Sequence, residues 1–232
     1  MSLRTVAGTL YTRRIRLFDK LNQLVEFNAT VPQAFAAAQH FVNADAGTPT
    51  QSPSVKIPFY RYVNDVHLNN VPVDYLEFGV FRGWSMKQWL SINQHPESRF
   101  FGFDTFTGLP ETWMKGRLAG HFDVNGSFPD LSDPRVKFIK GLFQETLPGF
   151  LQTFRNDRQL VVHIDCDLYA GTLFCLASLH PFMRPGTIVM FDEFYDVLHE
   201  FAGFHEYCKV FVRRWRAVAY RDAYIQAAIE LL

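Results

Sequence analysis

From about residue 72 the chain repeats one unit: a short apolar run, a polar turn and a helical stretch. The apolar runs are VDYLEF (73–78), RFFGFD (99–104), VKFI (136–139), LVVHID (160–165) and TIVMFD (187–192). Stretches such as SMKQWLSIN and GTLFCLASLHPFM separate several of them and read as helices. Repeated β-then-α units require parallel strands joined by right-handed crossovers, hence a doubly wound α/β sheet. WRAVAY and AYIQAAIEL follow, joined by a turn at Arg221-Asp222, and such tightly linked runs form an antiparallel hairpin. The expectation is a mostly parallel, seven-stranded, Rossmann-like sheet closed by a C-terminal hairpin.

Residues 1–70 are expected to form an N-terminal helical cap, and 71–232 the α/β domain. RRIRLFDKLNQLVEFNA spaces Ile15, Leu17, Leu21, Leu24 and Val25 for one helix. PQAFAAAQHFVNA reads as a second, with Pro32 near its start, and FYRYVNDVHLNN as a third. DAGTPTQSPS (45–54) reads as a polar loop, and Arg13, Arg14 and Arg16 as a solvated helix face. Formal net charge is zero, which argues against nucleic acid or an acidic membrane surface as partner. The 24 Phe suit both a dense core and aromatic-lined pockets. Cys166, Cys175 and Cys208 form no CxxC pair and read as free thiols in a reducing compartment. With no long apolar span or leader-like segment, a cytoplasmic protein is expected; a homo-oligomer is compatible with all of this.

In open α/β sheets, ligands bind beyond the carboxyl ends of the strands. The first run ends in EFGVFRGWS, an E-x-G-x-x-x-G pattern with Phe81 where a dinucleotide site would want glycine. That favours a ligand with an amino-acid portion, which Glu77 would face, over a pyrophosphate. Asp104 closes the second run at a distance suited to an acid on a ribose diol, although a helix cap has the same signature. HIDCDLY and FDEF put Asp165, Asp167, Asp192 and Glu193 at the ends of two strands about 5 Å apart. Crowded carboxylates repel unless protonated or bridged by a cation, and oxygen-only ligands suit Mg²⁺ before Ca²⁺ or Mn²⁺. Taken singly, Asp167 or Glu193 equally suits a helix cap. Residues 109–135 are long and irregular, as functional lids are, with Trp113 and Phe122 as acceptor contacts or as packing. His163 reads as a core histidine, and His199 and His205, six residues apart, do not make HExxH.

YLEFGVFRGWS, FGFDTFTGLPETW, GLFQETLP, HIDCDLY and GTIVMFDEF, in this order, resemble the macrocin O-methyltransferase (TylF-type) family over about residues 58–230. The resemblance implies a class I S-adenosylmethionine-dependent enzyme that methylates sugar hydroxyls in antibiotic biosynthesis. It implies that Glu77, Phe78, Gly79, Val80, Phe81, Arg82, Gly83 and Ser85 hold the methionine part. Asp104, Thr105, Phe106, Thr107 and Gly108 would hold the ribose, and Gly141, Leu142 and Phe143 would neighbour the adenine. Asp165 and Cys166 complete this set. Asp165 is implied as general base and as a magnesium ligand, with Asp192 and Glu193 as its partners on the metal. The family usually has a second Asp where this chain has Glu193, a side chain one methylene longer. Asp167 is expected only to support the next helix. Two other readings are a metal-dependent glycosyltransferase using Asp165-Cys166-Asp167 as DxD, and a cofactor-binding scaffold without chemistry.

Overall fold

The computed structural model describes residues 3–42 and 53–232, with side chains from residue 19 onward. The loop read over 45–54 falls almost wholly outside the described residues, as do the side chains of Arg13, Arg14 and Arg16. The first helix, α1 (Leu3–Ala34), continues past Pro32, which forgoes one backbone bond only two residues before the helix ends. Its inward stripe is half-buried Leu24 with buried Phe27 and Val31, continued by buried Phe35 just past the helix end, whereas Leu21 and Val25 are exposed. The expected second helix does not form. Beyond α1 the chain makes a turn and then a short strand, β1 (Gln39–Phe41). Its alanine-rich start favours helix, but backbone pairing to a sheet edge overrides that weak preference.

A 3₁₀ turn (Pro53–Lys56) leads into α2 (Ile57–Tyr62) and a π-helical turn (Val63–His67), the third helix of the sequence reading. The alternating region follows: β2 (Val73–Phe78), α3 (Trp84–Ile92), β3 (Arg99–Asp104), β4 (Val136–Lys140), α4 (Phe143–Leu151) and β5 (Gln159–Ile164). Then come α5 (Tyr169–Leu179), β6 (Ile188–Phe191), α6 (Glu200–Val210), β7 (Trp215–Arg221) and β8 (Gln226–Leu231). The strands form one sheet in the order β1-β7-β8-β6-β5-β2-β3-β4. Among the described residues it therefore has eight strands, not seven, the extra one being β1, parallel to β7. β8 is antiparallel to both β6 and β7, as the hairpin requires.

Successive strand residues enter opposite cores. Leu76, Phe78, Val162, Ile164, Val189 and Phe191 pack with α1, α4, α5 and α6. Val73, Tyr75, Val161, Ile188 and Met190 pack with α2 and α3 on the other face. Both faces are covered, and the carboxyl ends of β2, β3, β5 and β6 are left to carry function. No helix among the described residues is long and apolar enough to cross a membrane.

Candidate active site

β2 gives way to Gly79, whose N–H donates to the Phe103 carbonyl at 2.9 Å. Its φ is +93°, and a Cβ there would run into the backbone carbonyl of Asp165. Gly83, with φ +71°, is the N-cap of α3, and a Cβ there would press on Pro129 and Leu131 of the lid. Both glycines thus answer to close approaches within the chain itself, which a Cβ would block.

Asp104 is the knot between two loops. Its Oδ2 accepts the N–H groups of Val80 (2.7 Å) and Phe81 (2.8 Å), and its Oδ1 accepts that of Phe106 (2.7 Å). A carboxylate has about four acceptor positions, so Oδ1 keeps one spare beside the cavity. The lid is bonded to the same loop: Val124 and Gly126 both donate to the Phe106 carbonyl, and Gly108 lies against Gly120.

A cavity of about 700 Å³ opens here. Of the expected cofactor residues, Gly79, Val80, Phe81, Arg82, Ser85, Asp104, Thr105, Gly108, Leu142, Phe143, Asp165 and Cys166 line it. Glu77, Phe78, Gly83, Phe106, Thr107 and Gly141 do not. Phe78 and Phe106 are buried core rings. Glu77 is fully buried and reaches the cavity only through the Ser85 hydroxyl, which donates to its Oε1. Burial, partly offset by His163 and the neighbouring hydroxyls, raises the Glu77 carboxyl to about 7.

The acidic residues gather as the strand order demands, since Asp192 N–H donates to the Ile164 carbonyl at 3.1 Å. Asp165, Asp192 and Glu193, the expected metal ligands, all line the cavity. Among the described residues, the ligand atoms that come within 4.8 Å of one another belong to Asp165, Asp192 and His163; Glu193 does not join them. The Glu193 backbone N–H donates to Glu200 Oε2 at 2.9 Å, which ties the end of β6 to α6. Moreover, the Lys56 ammonium donates to Asp192 Oδ2. An imidazole in place of the third carboxylate, and an ammonium on a needed oxygen, do not fit a hard dication.

Charge at the cluster follows from burial and from Lys56. Burial disfavours the ammonium, but Asp192, Asp165 and Glu193 override it and hold Lys56 above its ordinary value. Burial likewise disfavours the Asp192 anion, yet Lys56 and His163 outweigh it and hold that carboxyl below the usual range. Burial and the Asp192 charge push Asp165 up, with Lys56 opposing. Burial first, then carboxylate neighbours, also pushes up Glu193 and Glu200. His163 is fully buried, its Nδ1 2.6 Å from the Tyr75 hydroxyl and its Nε2 3.6 Å from Asp192 Oδ1. His199 and His205 are half-buried at the start and on the first turns of α6.

Asp167 does not cap α5, whose first turn has no side-chain cap. It is the centre of a tight turn in which Leu168 N–H donates to the Cys166 carbonyl at 2.7 Å, with φ +61°. This is the rarer, strained form of the γ-turn, and it holds Asp167 on the cavity wall. Burial, partly countered by Arg117, raises its carboxyl to about 7. Arg117 comes from the lid, its guanidinium 4.5 Å from the Trp113 ring centre and 5.4 Å from that of Phe122. Trp113 Nε1 donates to Asp196 Oδ2 at 2.9 Å, and Trp113 and Phe122 both line the cavity, so they pack the lid and form part of the cavity wall.

Lys56, Arg117 and Glu200 were not found by sequence reasoning. Glu200 had a usable signal, an acid in the first turn of a helix, where the helix dipole favours it. The other two had none.

A family profile described as Macrocin-O-methyltransferase (TylF) matches residues 58–223. The chain is 31% identical over 166 residues to the 8-demethyl-8-(2,3-dimethoxy-alpha-L-rhamnosyl)-tetracenomycin-C 4'-O-methyltransferase of Streptomyces olivaceus, covering 61% of this chain and 62% of that protein. It is 32% identical over 152 residues to the demethyldecarbamoylnovobiocin O-methyltransferase of Streptomyces niveus, covering 57% and 56%. The chain thus spans about three-fifths of the length of the curated relatives it matches. Among solved structures, the calicheamicin methyltransferase CalS11 superposes with a TM-score of 0.59 at 24% identity, covering 77% of each chain. The O-methyltransferase NovP does so with 0.59 at 24%, covering 75% of this chain and 78% of that one. Both likenesses speak to the fold, that of Rossmann-like class I enzymes.

Proposed function

The chain belongs to the TylF macrocin-O-methyltransferase family, and from that premise we propose that it methylates a hydroxyl, using S-adenosylmethionine. The acceptor is a sugar or deoxysugar carried by a natural product or a nucleotide, and the setting is natural-product biosynthesis. One observation carries the reading: the Asp104-tied glycine loop and the carboxylate cluster open into the same cavity. A spare acceptor position on Asp104 suits a ribose hydroxyl, and Leu142 and Phe143 offer an apolar wall for adenine. The cofactor supplies a methyl group on a positively charged sulfur, which leaves with the S–C electron pair. The chain's task is then the acceptor. Asp165, on the cavity wall, takes the hydroxyl proton, while the lid excludes water and holds the acceptor in line. Magnesium, which the resemblance implies, has no step here because the site residues do not fit it. Three free thiols support a cytoplasmic setting.

Asp167 favours a second reading, in which it is the base. Its carboxyl also faces the cavity, and a value of about 7 suits proton transfer near neutral pH. The test compares Asp165→Asn and Asp167→Asn for S-adenosylhomocysteine affinity and for transfer of labelled methyl to a panel of deoxysugar compounds. Asp165→Asn is expected to lose at least about 10²-fold in turnover with cofactor affinity kept. Loss confined to Asp167→Asn moves the base to that residue. Thermal stabilisation by UDP-sugars alone would instead support the glycosyltransferase reading, and cofactor binding without transfer to any acceptor the scaffold.

A further inference from the structure

We propose that Lys56 is the resident cation of the acceptor side of the cavity, and that methyl transfer by this chain needs no divalent ion. The inference rests on the methyltransferase reading above. Lys56 does not belong to the alternating β/α region; it closes the 3₁₀ turn ahead of α2 and has no side-chain role in capping that helix. Its position is set by α2, whose Phe59 and Tyr60 are fully buried beneath the sheet, with the Tyr60 ring 5.8 Å from that of His163. From there its side chain, 17% exposed, meets Asp192 and forms part of the cavity wall.

An ammonium has three N–H donors. One is used by Asp192, so others remain for an acceptor oxygen in the cavity. As the acceptor oxygen loses its proton to Asp165, negative charge develops beside a fixed positive charge, and that interaction strengthens toward the transition state. Asp165 and Asp192 would otherwise crowd negative charge into one low-dielectric corner; Lys56 compensates it without recruiting an ion from solution. A dication bound through Asp192 Oδ2 would have to displace the ammonium from that oxygen.

The experiment uses the full chain stripped with EDTA. Mn²⁺ is titrated by electron paramagnetic resonance into the wild type, Lys56→Met and Lys56→Arg. S-adenosylhomocysteine affinity and labelled methyl transfer to the deoxysugar panel are measured in parallel. The expected results are no stoichiometric Mn²⁺ site in the wild type and undiminished turnover in EDTA. Lys56→Met should lose at least about 100-fold in turnover with S-adenosylhomocysteine affinity within about threefold of wild type, and Lys56→Arg should retain more. A stoichiometric wild-type Mn²⁺ site abolished by Asp192→Asn, turnover that requires Mg²⁺, or full turnover in Lys56→Met would each overturn the proposal. The wild-type titration decides even where Lys56→Met does not fold. If no form binds S-adenosylhomocysteine, the methyltransferase reading fails, and the proposal that rests on it falls too. If it binds and turnover needs Mg²⁺, only the Lys56 proposal fails.

Discussion

Glu77→Gln is expected to stabilise the protein, and increasingly so as pH rises. Glu77 is fully buried on β2, and its carboxyl titrates near 7 in the folded chain against 4.5 as its ordinary value. Between those values the unfolded chain is ionised while the folded one still holds its proton, so rising pH favours unfolding. The contribution of Glu77 is fully present below pH 4.5 and lost as pH climbs through 7. At about 1.36 kcal/mol for each pH unit, the interval is worth about 3 kcal/mol. Glutamine cannot ionise, and its carbonyl still accepts the Ser85 hydroxyl. The variant should therefore match the wild type to within about 1 kcal/mol at pH 5 and exceed it by about 3 kcal/mol at pH 8. Urea unfolding at pH 5, 6, 7 and 8 measures this directly; with typical slopes the midpoints at pH 8 should differ by about 1 M. Parallel stability curves for the two proteins would refute the argument, since Glu77 would then carry no shifted proton. Because Glu77 is absent from the cavity wall, its S-adenosylhomocysteine affinity should stay within about threefold of wild type; a hundredfold loss would mean direct contact with the cofactor.

Gly79→Ala should destabilise the fold by roughly 2 kcal/mol or more and depress turnover, because the new methyl displaces the Asp165 backbone; an unchanged melting temperature would contradict this. Asp104→Asn offers one acceptor oxygen where three N–H groups converge, so S-adenosylhomocysteine binding should weaken about tenfold or more by calorimetry. Equal affinity would show that the loops hold without the charge. Trp113→Phe removes the donor to Asp196 and should raise the acceptor KM several-fold, a cost of roughly 1 kcal/mol, without changing cofactor affinity. A changed cofactor affinity with constant KM would assign Trp113 to the other half of the cavity.

What the sequence made legible was the part governed by local pattern. Alternation of apolar residues and turn chemistry locate β2 to β8 to within a few residues, and the acids that end β3, β5 and β6 do reach one cavity. Reading failed where long-range contacts decide. The alanines before β1 look helical until β7 offers a backbone to pair with. Gly79 and Gly83 were rightly singled out, but what crowds them is Asp165 and the lid, both distant in sequence. Asp167 resembled a helix cap because its left-handed φ is invisible in composition. Lys56 carried no periodicity and no motif, so only the packing of α2 under the sheet reveals its partner.

The sheet order has a practical side for anyone cutting or swapping parts of this protein. A chain trimmed to 58–223 would discard residues from both ends that the centre depends on. At the front it would drop Lys56 and the edge strand β1. At the back it would drop β8, which lies between β6 and β7, so among the described strands β7 would be left without a neighbour. Chimaeras meant to exchange acceptor preference should therefore carry the turn before α2 and the whole hairpin along with the lid. A graft that moved the lid alone would bring Trp113 to a host without the Asp196 carboxylate that its indole donates to.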